Sequence, residues 1–140
     1  MRLNLPLLLA VALSQTTPTL SLGINCRGSS NCAAPDVPSL LDLVALIDQI
    51  NPSRWYNNGQ QIACLNENLD MGAFCAFLQN SGGAPASSII TLAQELRDHG
   101  CGVCGSVPLF YPNDNNVDDG ELTVNFVSSS CCAGSDCICP

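Results

Sequence analysis

The chain has 140 residues, ten of them cysteines, and 46% of its residues are hydrophobic. It contains no lysine, and its four arginines stand against twelve acidic residues, which gives a formal net charge of −8 at pH 7. Because an acidic surface repels phosphate backbones and anionic lipid headgroups, neither nucleic-acid binding nor direct docking to anionic membranes is expected. The length fits one domain with a modest hydrophobic core.

The N-terminus has the features of a secretory signal peptide. Arg2 is followed by a short apolar run at residues 5–13, about half the length that a membrane span requires. Cleavage is compatible with two positions, after Ser14 or after Ser21, and a buried N-terminal helix is the alternative interpretation. The sequence therefore predicts a secreted, extracellular protein. Cleavage after Ser21 would leave three arginines against twelve acidic residues, a net charge of −9.

The cysteines all follow the predicted signal peptide, and an even count in a secreted chain indicates a disulfide framework. Cys101 and Cys104 have the CxxC spacing of redox centres and zinc sites. However, they follow a predicted helix instead of preceding it, and the chain has one histidine. We therefore expect both in structural disulfides, and the turn-rich residues between Cys26 and Cys32 would let that pair bond with them. No metal or other cofactor is expected.

Hydrophobic periodicity predicts three helices. The first covers residues 38–50 and ends at Asn51-Pro52, and the second covers residues 71–79. The third has the clearest apolar stripe, with Ser87 or Ser88 as its N-cap and Gly100 just beyond its C-terminus.

Strands are predicted over residues 61–65, 101–109 and 121–127, and the last of these alternates most strictly between apolar and polar side chains. Residues 118–120 have turn chemistry just before that strand. Because the strands and helices show no repeated βαβ order, the predicted fold class is α+β. We expect a two-layer α/β sandwich, in which helices pack on a mainly antiparallel sheet and disulfides staple the layers.

Residues that could support catalysis or metal binding are sparse. Residues 114–120 are rich in oxygen ligands, but their glycine is one position late for an EF-hand, and Asn125 stands where that loop needs glutamate. His99 has no free nucleophile beside it if Cys101 is disulfide-bonded. Four carboxylates could be considered for sugar hydrolysis, but their spacing marks no acid and base pair: Glu67, Asp70, Glu95 and Glu121. An enzyme is therefore not expected.

Two blocks of the sequence are distinctive. The first is LGINCRGSSNC at residues 22–32, and the second is HGCGVCGSVPL at residues 99–109, followed by GELTVNFV at residues 120–127 and by Cys131. Together these blocks resemble the fungal KP4 killer-toxin family. The resemblance implies an α/β sandwich with antiparallel strands and two main helices. It also favours cleavage after Ser21. The chain would then divide into a signal peptide (1–21), a KP4-like domain (22–131) and a cysteine-rich tail (132–140).

The resemblance further implies three disulfides, which are Cys26–Cys101, Cys32–Cys104 and Cys64–Cys75. Two departures from the family pattern stand out. The lysine expected shortly before Cys64 is absent, and Ile90 lies near the position of a missing cysteine. The four remaining cysteines should form local bridges of unassigned connectivity: Cys131, Cys132, Cys137 and Cys139.

Toxic members of the family are thought to act on susceptible fungi by interfering with calcium channels. The resemblance thus implies a toxin or host-interaction effector whose partner is a membrane protein of the target cell, with a calcium channel as the candidate. We expect the protein to be a monomer. Arg54, Trp55 and Tyr56, together with Arg27, are the candidate target-binding residues, because such side chains are enriched at binding hot spots. Alternatively, Trp55 and Tyr56 merely pack over a loop. Two other functions remain open: a non-toxic structural or surface-associated protein, and a small secreted hydrolase.

Overall fold

A computed structural model of the protein describes residues 22–66 and 72–140. The predicted signal peptide with both cleavage positions, and the candidate carboxylates Glu67 and Asp70, lie outside the described residues. The described helices and strands are α1 (Leu40–Ile47), α2 (Ala86–Asp98), β1 (Trp55–Tyr56), β2 (Gln61–Leu65), β3 (Ala73–Gln79), β4 (Ala84–Pro85), β5 (Gly105–Pro108), β6 (Glu121–Val127) and β7 (Cys137–Ile138). Short 3-10 turns occur at Ser30–Ala33 and Val117–Asp119.

The main sheet has five antiparallel strands in the order β5-β6-β3-β2-β7. Its longest ladder joins β3 to β6 along their full lengths, from Ala73 opposite Val127 to Gln79 opposite Glu121. Strands β1 and β4 pair separately as a two-stranded ribbon. Both helices contact the main sheet and each other, so the predicted two-layer α+β architecture is confirmed.

The core lies between the helices and one face of the sheet. Side chains alternate along a strand, so Phe74 and Leu78 of β3 and Leu122 of β6 face the helices. Phe74 also packs against Phe126, with the ring centroids 5.5 Å apart. The helices contribute buried side chains from their apolar faces: Leu40, Leu43, Val44, Ile47, Ile89, Leu92, Ala93 and Leu96. On the opposite face, a smaller cluster contains Cys64, Ala73, Cys75 and Cys139.

The predicted helix at residues 71–79 is wrong, because Ala73–Gln79 forms the strand β3. This strand lies in the middle of the sheet, between β2 and β6. Both of its faces are largely covered, so its sequence AFCAFLQ shows no clean polar alternation. A short apolar run of this kind does not distinguish a buried strand from a buried helix.

Both helices differ from their predicted boundaries. Helix α1 covers Leu40–Ile47 and is shorter than the predicted residues 38–50. The Ser39 side chain sets its start by accepting a hydrogen bond from the Leu41 amide. Helix α2 begins at Ala86, so Ser87 and Ser88 are not its caps. Instead, the amides of Ala86 and Ser87 donate to the backbone carbonyls of Arg54 and Pro52, which satisfies two amides of its first turn.

Two strand predictions, residues 61–65 and 121–127, match β2 and β6. The predicted strand at 101–109 is confined to Gly105–Pro108. Its first four residues contain Cys101 and Cys104, which are bonded to the N-terminal segment instead of entering the ladder. Gly100 follows α2 at φ +100°, as predicted for a residue just beyond a helix.

Candidate target-binding surface

The ribbon of β1 and β4 separates the side chains of Trp55 and Tyr56. Trp55 lies opposite Pro85 and Tyr56 opposite Ala84, and consecutive side chains on a strand point in opposite directions. Trp55 is 54% exposed, whereas Tyr56 is 0% exposed and belongs to the main core. Tyr56 was predicted to be an exposed binding residue, but its side chain is buried. Trp55 is exposed and available for contact.

The guanidinium group of Arg54 packs on the ring of the buried Tyr56. Its guanidinium carbon lies 4.6 Å from the centroid of the Tyr56 ring, within the range of a cation–π contact. Burial raises the pKa of the Tyr56 hydroxyl, and the nearby positive charge of Arg54 partly offsets that effect. Within the described chain, the Arg54 side chain has no ion pair, in contrast to Arg97, which contacts Asp98 at 2.8 Å. Arg54 thus presents an uncompensated cation beside Trp55.

The Trp55 ring is placed by the close approach of a glycine. Gly83 has φ +103°, a conformation that favours glycine. A Cβ atom at this position would lie 2.8 Å from Nε1 and Cζ2 of Trp55 and from the Tyr56 carbonyl oxygen. The absence of a side chain at Gly83 therefore lets the indole lie against the backbone of the adjoining loop while keeping about half of its surface in solvent.

A second exposed aromatic residue, Phe110, was not predicted from the sequence. It is 59% exposed and follows β5, between Leu109 and Tyr111. Those two neighbours line a pocket of about 260 Å³. The other lining residues come from α2: Ser87, Ser88, Thr91 and Leu92. The signal was present in the sequence as two consecutive aromatic residues before Pro112 in a turn-rich segment.

Trp55 and Phe110 lie at the same end of the molecule. Leu109 approaches Gly120, where a Cβ atom would be 2.8 Å from Leu109 Cδ1 and 3.3 Å from the carbonyl oxygen of Asn80. The segment from Asn80 leads to Gly83 beneath the indole of Trp55. We call this region the aromatic end; it comprises Arg54, Trp55, Phe110 and Tyr111, grouped around the N-terminus of α2.

Arg27 lies away from the aromatic end. It follows Cys26, which is bonded to Cys101 just beyond the C-terminus of α2, whereas Arg54 contacts the first residue of that helix. The 13 residues of α2 separate these two points by about 20 Å, at a rise of about 1.5 Å per residue. Arg27 is exposed, but the structure does not bring it together with Arg54 and Trp55.

All ten cysteines are paired. Three bridges have the connectivity that the resemblance implies: Cys26–Cys101, Cys32–Cys104 and Cys64–Cys75. The last four cysteines form two local bridges, Cys131–Cys139 and Cys132–Cys137. The CxxC pair therefore links the end of α2 to the N-terminal segment. The connectivity of the two local bridges was not predicted from the sequence.

The oxygen-rich loop uses its side chains for internal hydrogen bonds. The Asn116 side chain accepts from the Asp118 amide and donates to Asp119. A hydrogen bond between the carboxyl groups of Asp119 and Asp114 raises the pKa of Asp114. Gly120 then leads into β6 at φ +112°. These contacts build the turn that the sequence predicted at residues 118–120.

The other polar candidates are dispersed. His99 is exposed and directly follows α2, and Cys101, two residues further along, is disulfide-bonded. Glu95 lies on α2, whereas Glu121 begins β6. The pKa of Glu121 is raised, mainly because the carboxyl group is partly buried. A hydrogen bond from Ser106 acts in the opposite direction, and the negative charge of Asp118 adds to the increase.

In the part of the chain that the structure describes, neither helix has the length and apolar character that crossing a membrane requires.

Comparison with known proteins identifies a family that matches most of the chain. The sequence profile of the Kp4 family matches residues 8–128 of the chain. The chain is also 38% identical over 110 residues to the KP4 killer toxin of Ustilago maydis P4 virus, an alignment that covers 78% of this chain and 83% of the toxin. The match supports a toxin role. Because it spans most of both sequences, we conclude that this chain belongs to the Kp4 killer-toxin family.

Proposed function

We propose that this protein is a secreted toxin or effector that inhibits the growth of target cells by interfering with a calcium channel. Family membership supports the toxin role. The observation that carries the proposal further is that Arg54, a cation with no ion pair among the described residues, lies beside the exposed indole of Trp55. A cation-selective pore commonly presents rings of carboxylates, which attract the positive charge of a partly exposed guanidinium such as that of Arg54.

The charge of the protein makes close contacts at the aromatic end important. After removal of the signal peptide, the net charge of −9 repels an acidic channel mouth at long range. Binding therefore depends on short-range contacts, in which Trp55 and Phe110 supply apolar area and Arg54 supplies the charge. Tryptophan, tyrosine and arginine are the residue types that most often dominate binding energies at protein interfaces. Arg27 is left out of this surface because it lies at the other end of α2.

Several features support secretion of a domain that begins near residue 22. Five disulfides suit an oxidising, extracellular compartment. The carbonyl of Leu22 accepts a hydrogen bond from the Val117 amide, and the Ile24 amide donates to the Asn115 side chain. Because residues 22–24 are bound to the 115–117 loop, cleavage after Ser21 would release a chain whose first residues belong to the fold.

A calcium-reporter assay tests the proposal. The full reading frame is expressed in a secreting host, and the purified product is added to reporter strains of several fungi and to plant cells. We expect reduced calcium influx together with growth arrest in susceptible cells, and we expect added calcium to restore growth. Growth arrest with unchanged influx would refute the calcium-channel target. Absence of any arrest by protein with intact disulfides would refute the toxin proposal and favour a structural role.

A further inference from the structure

The C-terminal residues form a strap that is folded by its own disulfides. We define the strap as residues 131–139, which contain both local bridges, Cys131–Cys139 and Cys132–Cys137. Its strand β7 adds to the edge of the main sheet, with Ile138 opposite Ala63 of β2. Neither local bridge connects the strap to β2, so noncovalent contacts alone hold it on that strand.

Those contacts are specific hydrogen bonds to the two ends of β2. At one end, the side-chain oxygen of Gln61 accepts from the Cys131 amide at 2.6 Å. At the other end, the backbone amide of Asn66 donates to the carboxylate of Asp136 at 2.8 Å. Between them, the Cys139 amide donates to the carbonyl of Ile62 at 2.9 Å. The two disulfides determine the shape of the strap. All three hydrogen bonds can form together only while the strap keeps that shape.

The sulfur atoms of the strap lie in contact with a third disulfide. Cys131 Sγ is 3.5 Å from Cys132 Sγ, 3.6 Å from Cys137 Sγ and 3.8 Å from Cys64 Sγ. The Sγ atoms of Cys64, Cys131, Cys132 and Cys139 all lie within 4.8 Å of one another. A thiolate formed at any of these positions would thus have other disulfide sulfurs within reach of a side-chain rotation.

The two ends of one strap bridge differ in accessibility. Cys131 is exposed, whereas its partner Cys139 is 2% exposed. The Cys131 side of the bridge is therefore the side that faces solvent and an incoming nucleophile, and attack from that side makes the buried Cys139 the leaving group. Exchange rates depend on which sulfur is attacked and on its access, so this asymmetry selects one direction of attack.

From this geometry we propose that Cys131 is a thiol-exchange site, at which a small-molecule thiol of the glutathione class opens the strap. The incoming thiolate bonds to Cys131 Sγ, the Cys131–Cys139 bond breaks, and Cys139 leaves as a thiolate. That thiolate then attacks Cys132 Sγ, which forms Cys132–Cys139 and releases Cys137 as a thiolate that takes a proton from water. Each step forms one S–S bond and breaks one, so the number of disulfide bonds is unchanged.

The rearranged strap cannot keep its fit to β2. A bridge between Cys132 and Cys139 replaces the two that position Cys131 and Cys137, and Cys137 lies opposite Cys64 in the β2–β7 ladder. The rest of the domain stays folded, because Cys26–Cys101 and Cys32–Cys104 join elements outside the strap. The expected product is a native domain with its β2 edge uncovered and a thiol adduct on Cys131.

Graded exposure to reduced glutathione tests this inference. The purified protein is incubated at increasing glutathione concentrations, free thiols are alkylated, and peptides are mapped by mass spectrometry. At the lowest concentration that changes any bridge, we expect glutathione on Cys131 and loss of both native strap bridges, with Cys26–Cys101 intact. Cys26 is also exposed and provides an internal comparison. Adducts that appear first or equally on Cys26 would overturn the proposal.

A double variant separates exchange at Cys131 from general reduction. Cys131→Ser/Cys139→Ser removes the attacked bridge and leaves Cys132–Cys137 in place. We expect this variant to take up no glutathione at the concentration that modifies the wild type, while its circular dichroism spectrum stays native. Equal uptake through Cys132 or Cys137 would contradict the assignment to Cys131. Growth inhibition is not needed for this readout, so its result is independent of the toxin proposal.

Discussion

The guanidinium carbon of Arg54 lies 4.6 Å from the ring centroid of Tyr56, which makes a fully buried aromatic ring the support for a partly exposed charge. Such a contact contributes about 0.5–2 kcal/mol, depending on desolvation. It restricts the arginine to the vicinity of the core, next to the exposed Trp55. Tyr56 therefore has a role at the candidate surface even though it is inaccessible to a target.

Replacement of Tyr56 separates the role of its ring from that of its hydroxyl. The hydroxyl is buried and has no hydrogen-bond partner among the described residues. Tyr56→Phe keeps the ring beneath Arg54, so we expect stability to be unchanged or raised by up to about 1 kcal/mol. Tyr56→Ala should lower the free energy of unfolding by about 3–5 kcal/mol, because it leaves a core cavity. Denaturant unfolding measures both; a loss above about 1 kcal/mol in Tyr56→Phe would reveal a hydroxyl partner.

The two N-terminal disulfides should stabilise the fold non-additively. Cys26–Cys101 and Cys32–Cys104 have sequence separations of 75 and 72, so they close nearly the same loop. Loop entropy predicts about 4 kcal/mol for closing such a loop once, and little more for closing it twice. We expect a small loss of stability when either bridge is replaced by alanine pairs, and a loss of about 4 kcal/mol when both are replaced. Equal, additive losses in denaturant unfolding would contradict this account.

Stability should fall as the pH rises through the titration of Glu121. Burial raises the pKa of this carboxyl in the folded state above its ordinary value of 4.5, so the folded protein binds the proton more tightly than the unfolded chain does. The folded state is therefore favoured most below pH 4.5, and this contribution is lost between that pH and the raised pKa. Because Glu121 is partly solvated, we expect less than about 1 kcal/mol.

Comparing the wild type with Glu121→Gln isolates this effect. The variant cannot ionise at this position but retains an oxygen that can accept from Ser106. It should show a flatter stability profile in that pH window and a slightly higher free energy of unfolding at pH 7. Parallel profiles for the two proteins in denaturant unfolding would show that Glu121 does not titrate with a raised pKa.

The parts of the fold with one buried face were predictable from the sequence. In β6 the strict alternation of Leu122 and Val124 with polar neighbours fixes both the strand and its inward face. In α2 the stripe from Ile89 to Leu96 does the same for a helix. Strand β3 was mispredicted because strands on both sides and covered faces remove that contrast.

The candidate surface was only partly predictable, since it depends on tertiary contacts. Trp55 and Phe110 are far apart in sequence, and they lie at one end because the loops at Gly83 and Gly120 approach their neighbours closely. The burial of Tyr56 depends on pairing between β1 and β4, two strands of two residues each. Strands this short carry too little periodicity to be recognised. The disulfide connectivity of the strap likewise depends on how residues 131–139 pack against β2.

The most direct test of the aromatic end compares two alanine variants in a growth-inhibition assay on a susceptible strain. Trp55→Ala and Leu41→Ala each shorten an exposed apolar side chain, 54% and 58% exposed, without changing the charge. Leu41 lies at the other end, where the neighbouring Leu40 amide donates to the carbonyl of Gly102. Both variants should unfold like the wild type, which shows that any loss of activity is not a loss of folding.

We expect Trp55→Ala to raise the half-inhibitory concentration by at least about tenfold, equivalent to about 1.4 kcal/mol of binding energy, and Leu41→Ala to leave it unchanged. That result would place the target contact at the aromatic end. Full potency of Trp55→Ala, or an equal loss in Leu41→Ala, would contradict it.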